Sequence, residues 1–371
     1  MKKISLGAIC AFFAFGAGGN AYAVPVSHLH ANAITMNNIV VMQHSIMLDA
    51  FNNFDGSMAG IIKRHASSSV TPEIVDATDN TEHPQMDKYG EMLYYGEYGD
   101  DGTVFSAPRR GRNGGDSEYE SLALWLDWQH AQDYAKFDKF KRIDSNYDLI
   151  SLGFSGTPDI NSEQYSTFGG FGGIALAREH AKSAVNLSET GEYVGLYYAY
   201  NLRNFTIQTA ADFGVLFTDA KSGYGKHDFT NLWAGAAINA TYNLVLDEES
   251  VLQPGLYAGY TWVHADGYEP MPGVATDNFH MFEISPSLRA ITHIVDGWYG
   301  GMSARYAFHF ANGGDIRDAG VAIPDLELLN YYEYGLSAEK TVDNFNFSAS
   351  INRRDGGRTG WIGNIRMKYM F

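Results

Sequence analysis

Three things are scarce in this 371-residue chain: cysteine, basic residues and long apolar runs. The single cysteine, Cys10, lies within the first 23 residues, which read as an export signal. The mature chain is therefore expected to have no disulfide, and an exported protein of this size must find its stability elsewhere. Lys and Arg number 26 against 43 Asp and Glu, for a formal charge of −17. Removing Lys2 and Lys3 with the signal takes this to −19. So acidic a chain makes a poor partner for nucleic acid or any polyanion. No run of some twenty apolar residues follows the signal, which excludes a membrane-spanning helix. Mean hydropathy is bland at −0.23.

The signal itself has a charged start at Lys2 and Lys3, an apolar run from Ile4 to Phe15 and a small-x-small site at Ala21-Tyr22-Ala23. Cys10 is a poor lipoprotein site, since Ile9 is large where a small residue is wanted. What the chain does have is aromatics, at 14%, and 40 glycines. Both suit strands that face lipid on one side and a watery lumen on the other. The last eleven residues carry the pattern most clearly. Trp361, Gly363, Ile365, Met367, Tyr369 and Phe371 share one face, and Ile362, Asn364, Arg366, Lys368 and Met370 the other. The chain then stops on the aromatic.

Roughly twelve such segments follow one another, from Leu122–Tyr134 to Trp361–Phe371, separated by turns rich in Gly, Asn, Asp and Ser. In Phe279 to Ile291, Phe282, Ile284 and Leu288 oppose Met281, Glu283, Ser285 and Arg289. A soluble sandwich shows the same alternation. The export signal, the terminal aromatic and the aromatic strand ends favour the membrane, where only a closed sheet pairs every backbone group. The expected fold is all-β: a closed antiparallel transmembrane barrel of about twelve strands. Four regions follow: signal peptide 1–23, a short passenger remnant with helix 24–62, linker 63–116 and barrel 117–371.

Between Ala33 and Ile62 the period changes to helical, with Ile34, Ile39, Val41, Met42, Ile46, Leu48, Phe51 and Phe54 at three- and four-residue steps. This is read as an amphipathic helix packed on the rest of the chain. Ahead of it, His28 and His30 supply two ligands on a chain terminus, short of a metal site. The linker carries a basic patch at Arg109, Arg110 and Arg112.

The stretches Tyr331-Tyr332-Glu333-Tyr334-Gly335-Leu336 and Asn352-Arg353-Arg354-Asp355-Gly356-Gly357-Arg358-Thr359-Gly360, with a last strand ending in Phe, resemble the C-terminus of type V autotransporter translocator domains. The resemblance implies a twelve-stranded outer-membrane barrel with a helix threaded through its pore, linked to a surface passenger. The helix at Ala33 to Ile62 sits where that pore helix would, although few residues are left for a passenger and the linker is long. Implied partners are outer-membrane lipids and the barrel insertion machinery, with Tyr369 and Phe371 resembling the signal that machinery reads. The barrel is expected to be monomeric, to bind no nucleic acid and to carry no cofactor or metal.

Asn52-Asn53 resembles the intrabarrel segment at which one autotransporter subgroup cuts itself; the plainer reading is a polar helix face. Glu283, Arg289, Arg305, Glu333, Glu339, Arg366 and Lys368 are read as lumen-facing charges that pair with each other or with the helix. Gly170 to Ala175 matches a dinucleotide fingerprint only in letters, since no helix follows. Ser303 and His309 share a face but lie about 20 Å apart along one strand, beyond the reach of a catalytic pair. The expected function is to anchor, display or translocate a short N-terminal segment, without enzymatic activity. A small channel or a structural surface protein is the alternative.

Overall fold

The computed structural model describes residues 31–54, 58, 61–62, 97–98, 104–105, 121–136, 142–157, 164–181, 185–222, 225–266, 274–313, 316–318, 321–323 and 328–371. The export signal, His28, His30 and the Arg109–Arg112 patch lie outside the described residues.

Twelve long strands form the body: β1 Ser121–Ala135, β2 Ile143–Thr157, β3 Gln164–Ala181, β4 Val185–Leu202, β5 Phe205–Ser222, β6 Gly225–Tyr242, β7 Ser250–Asp266, β8 Phe279–Val295, β9 Trp298–Gly313, β10 Tyr331–Val342, β11 Phe345–Gly356 and β12 Arg358–Met370. Each pairs antiparallel with its neighbour in sequence. The last pairs with the first, Ile362 opposite Ala131 and Tyr369 opposite Leu124, and this closes the barrel. No strand edge is left among the twelve.

The strands are longer than the alternation suggested. Where the sequence predicted Glu192–Tyr200, β4 runs for 18 residues. Its outward face carries Val194, Leu196, Tyr198, Tyr200 and Leu202, then changes to Asn186, Ser188, Thr190 and Glu192. The apolar part alone has the nine to eleven residues that cross a bilayer. Beyond it the outward face is polar while Val185 and Leu187 stay buried inside, so the lipid-facing apolar stripe no longer marks the strand. An exposed apolar girdle of this kind continues on all twelve strands, with Leu196 at 67% and Met302 at 61% exposure. Around a closed barrel, that is the surface a bacterial outer membrane covers.

The two mouths differ. Two-residue turns at 203–204, 296–297 and 343–344 mark one, where Arg203, Asp296 and Asp343 take positive φ of 52°, 40° and 50°. Phe371 lies there too, its amide donating to Leu122 O at 2.9 Å. The longest connections, β7 to β8 and β9 to β10, open at the other mouth. We call these the turn mouth and the loop mouth.

The helix α1, Ala31–Phe54, threads the lumen. Its first turn packs against Ala181, Val185, Ala220 and Phe229 near the loop mouth. Past its end, Met58, Ile61 and Ile62 pack on Val251, Ile291 and Tyr299 near the turn mouth. It starts two residues before the expected Ala33, and its expected two-sided character is not what the structure presents. Asn32, Thr35, Asn37, Asn38, Gln43, His44 and Ser45 are all at most 4% exposed, as buried as Ile39 and Met47. The barrel surrounds the helix, so polar and apolar faces alike are enclosed.

Candidate functional site: the occupied lumen

Against β1 to β6 the helix meets an aromatic wall. Trp125, Phe171, Tyr193, Tyr197 and Trp233 join Met36, Val40 and Met47 of the helix in one buried cluster. These rings lie flat because glycines sit beneath them. A Cβ at Gly173 would come within 2.5 Å of the Tyr193 hydroxyl, and one at Gly214 within 2.1 Å of the Trp233 ring. The Gly-Phe-Gly-Gly stretch is thus mid-strand packing on β3. Helix polar groups find partners on this side singly. Thr35 donates to Glu189 at 2.7 Å and Asn38 to its other oxygen at 3.1 Å, while Gln43 donates to Asp212 at 3.1 Å.

From β8 round to β1 the wall is charged. Arg305 donates to Glu283 and to Glu333, both at 3.1 Å. Arg354 donates to Glu333 at 2.9 Å and to Asp133 at 3.0 Å. Arg358 closes the row with bonds of 3.0 and 2.6 Å to the two Asp133 oxygens. Acid and base alternate across the strands, so each buried charge has an opposite neighbour. Arg354 on β11 reaches Asp133 on β1 across β12, over Gly360, which is opposite both residues in register. A Cβ there would come within 2.3 Å of Asp133. The Gly-Gly-Arg-x-Gly stretch therefore supplies one arginine to the row and clears the path of another.

The helix is tied to this wall too. His44 Nδ1 contacts Glu283, and Arg354 donates to Ser45 at 3.4 Å. Arg366 bonds Asp127 at 2.7 Å and lies 3.6 Å from Asp49 of the helix. Lys368 donates to the Asn53 carbonyl at 2.9 Å, and Glu339 accepts the Met58 amide at 2.9 Å. Beside the helix on this side a cavity of about 220 Å³ is lined by Asp49, Asn52, Arg289, Ser303 and Lys368, among others.

Arg289, Arg305, Glu333, Glu339, Arg366 and Lys368 border the cavity beside the helix, and Glu283 is buried against His44. Asp127, Asp133, Arg354 and Arg358 were missed as their partners. Asp127 and Asp133 share a face of β1, so alternation could have found them; the pairing could not be read, because Arg354 and Asp133 are 221 residues apart. His309 stands 3.1 Å from Glu283, whereas Ser303 faces the cavity. Asn52 opens onto the cavity; the Asn53 side chain donates back to Asp49 O at 2.9 Å, one turn away from its own carbonyl. Tyr369 stacks edge-on with Phe371 and packs on Phe345, both at 4.8 Å between ring centres, on the outer face at the turn mouth.

No protein-family model matches the chain, and no curated protein does. Solved structures do. The beta domain of the Bordetella autotransporter BrkA superposes with a TM-score of 0.56 at 15% identity, covering 68% of this chain and 100% of that one. The translocator domain of NalP from Neisseria meningitidis gives 0.51 at 11% identity, over 68% and 89%. The transport unit of AIDA-I from Escherichia coli gives 0.52 at 14% identity, over 69% and 92%. The fold is that of an autotransporter translocator domain. At these identities the likeness speaks for architecture alone. In this translocator-type barrel the helix occupies the lumen, packed on one wall and hydrogen-bonded to both, with a polar cavity beside it on the charged side.

Proposed function

We propose that the protein is an outer-membrane translocator-type barrel that anchors and displays the short segment preceding α1. The observation that carries this reading is the path of the helix. Ala31, the first residue of α1, lies near the loop mouth, whereas Ile62 and the start of β1 both lie at the turn mouth. Short turns face the periplasm and longer loops the outside in barrels of this class, so α1 would carry the segment before it to the cell surface. Ile62 and Ser121 would both stand on the periplasmic side.

A tag inserted after Ala23 tests this. Labelling of the tag on intact cells is expected, and protection from an impermeant reagent would defeat the topology. Planar-bilayer conductance separates display from a channel. The intact mature protein should pass little current, and removal of residues 24–62 should raise it several-fold; a large conductance with the helix present would favour the channel. The helix stays joined to its N-terminal segment in this proposal. Immunoblotting for a fragment beginning at Asn53, wild type against Asn52→Ala, would expose cleavage if it occurred.

Tyr369 and Phe371 serve assembly in the same reading, as the terminus presented to the insertion machinery. Deleting Phe371 should reduce the amount of inserted barrel more than Phe347→Ala does on the same lipid face. Equal losses would leave Phe371 as a girdle aromatic.

A further inference from the structure

Glu283 of β8 is approached by two imidazoles from different elements, His44 of α1 through Nδ1 and His309 of β9 through Nε2. One atom from each of the three residues lies within 4.8 Å of the other two. The side chains are at most 1% exposed. We propose that His44, Glu283 and His309 form a binding site for a zinc-class divalent transition-metal ion that fastens the helix to the charged wall.

The hydrogen-bond chain behind His44 sets its tautomer. Asp212 accepts from Trp233 Nε1 at 3.2 Å and from Gln43 at 3.1 Å, which turns the Gln43 nitrogen toward it. The Gln43 oxygen then takes the one proton of Thr261 Oγ1, at 2.7 Å. Thr261 Oγ1 has only its lone pairs left for His44 Nε2 at 3.2 Å. His44 thus carries its proton on Nε2 and aims the Nδ1 lone pair at a carboxylate oxygen. Two lone pairs facing each other repel unless a cation lies between them. His309 turns Nε2 to that same oxygen at 3.1 Å, while its buried Nδ1 has no hydrogen-bond partner.

A metal between them resolves the facing lone pairs of His44 and Glu283, and His309 Nε2 can offer it a third donor. Two imidazole nitrogens and one carboxylate oxygen are the donor set of zinc and its neighbours, and a poor one for magnesium or calcium. Outer partners are in place for two of the three ligands. Thr261 receives the His44 Nε2 proton, and Ser285 and Arg305 hold the other Glu283 oxygen at 2.5 and 3.1 Å. The charge of Arg305 is already shared with Glu333 at 3.1 Å. The cavity beside the helix reaches Ser45, Ser285 and Arg305, which gives an ion a wet route to the site. None of this depends on display or transport.

The test uses the full mature protein folded in detergent, stripped with EDTA and titrated with Zn²⁺, with bound metal measured by mass spectrometry. Co²⁺ in its place reports the donor geometry by visible absorption. We expect one equivalent of Zn²⁺, undisturbed by millimolar Mg²⁺, and at least tenfold weaker retention in His44→Ala and His309→Ala. Heat-dependent migration on gels verifies that each variant is a closed barrel. Should His44→Ala fail to assemble, His309→Gln, remote from the helix backbone, decides alone. No retained Zn²⁺ in the wild type, or equal retention by a folded His309 variant, would overturn the site and leave a shared proton as the cation between these groups.

Discussion

The two walls of the lumen hold one helix by opposite means. On the side of β1 to β6, large rings pressed onto glycines meet methionine, valine and isoleucine, and the hydrogen bonds to the helix run to separate side chains such as Glu189, Gln208, Asp212 and Asn231. From β8 to β1 the contacts are ion pairs linked in a row, and the cavity lies on that side. The aromatic wall works by shape and excludes water. The charged wall works by pairing, which stays favourable only while every member has its partner. The difference also locates the weak seam: water and ions reach the helix along the charged side.

The largest expected effect breaks the charged wall. Arg354→Leu leaves Asp133 with Arg358 alone and Glu333 with Arg305 alone, and taking one arginine from both buried carboxylates should cost about 3 kcal/mol. Thermal unfolding followed by circular dichroism in detergent measures it. A loss below about 1 kcal/mol, the worth of an exposed pair, would mean that water screens the row and that the two walls are energetically alike.

Next comes the aromatic wall. Gly214→Ala places a methyl group inside the Trp233 ring and forces it off the strand, at about 1–3 kcal/mol for overpacking. Unfolding together with a shift in tryptophan emission checks this. Unchanged stability would show that the ring has room to move and that this wall is softer than its packing implies.

The smallest effect sharpens the comparison at the seam. Lys368→Met removes one hydrogen bond to the Asn53 carbonyl at the edge of the cavity, worth about 0.5–1.5 kcal/mol. Stability should hardly change, but brief current openings of the helix-containing barrel should become more frequent. Gly214→Ala should not reproduce those openings. If it does, current is not confined to the charged side.

Much of this architecture was legible before any coordinates. Alternation in Trp361–Phe371 and Phe345–Asn352 assigned the lipid and lumen faces, because the side-chain period of a strand is a local property. Inward positions for Glu283, Arg305 and Glu333 followed from the same parity. Strand length did not: at the start of β4 the outward residues Asn186, Ser188 and Thr190 are polar, and no lipid-facing stripe marks that part of the strand. The helix was also legible, and the resemblance to translocator domains set it in the pore. What its residues could not name were the partners of Asn38 and Gln43, which the barrel buries against Glu189 and Asp212.

By itself, then, the sequence determined which residues are strand, which face each side chain takes and that a helix precedes the barrel. These rest on periods of two and 3.6, written over a few neighbouring residues. Only the tertiary structure decided that Arg354 crosses over Gly360 to Asp133, and that His44 and His309 meet on one oxygen of Glu283. Those contacts join residues hundreds of positions apart, and it is closure of β12 on β1 that fixes the distances between them.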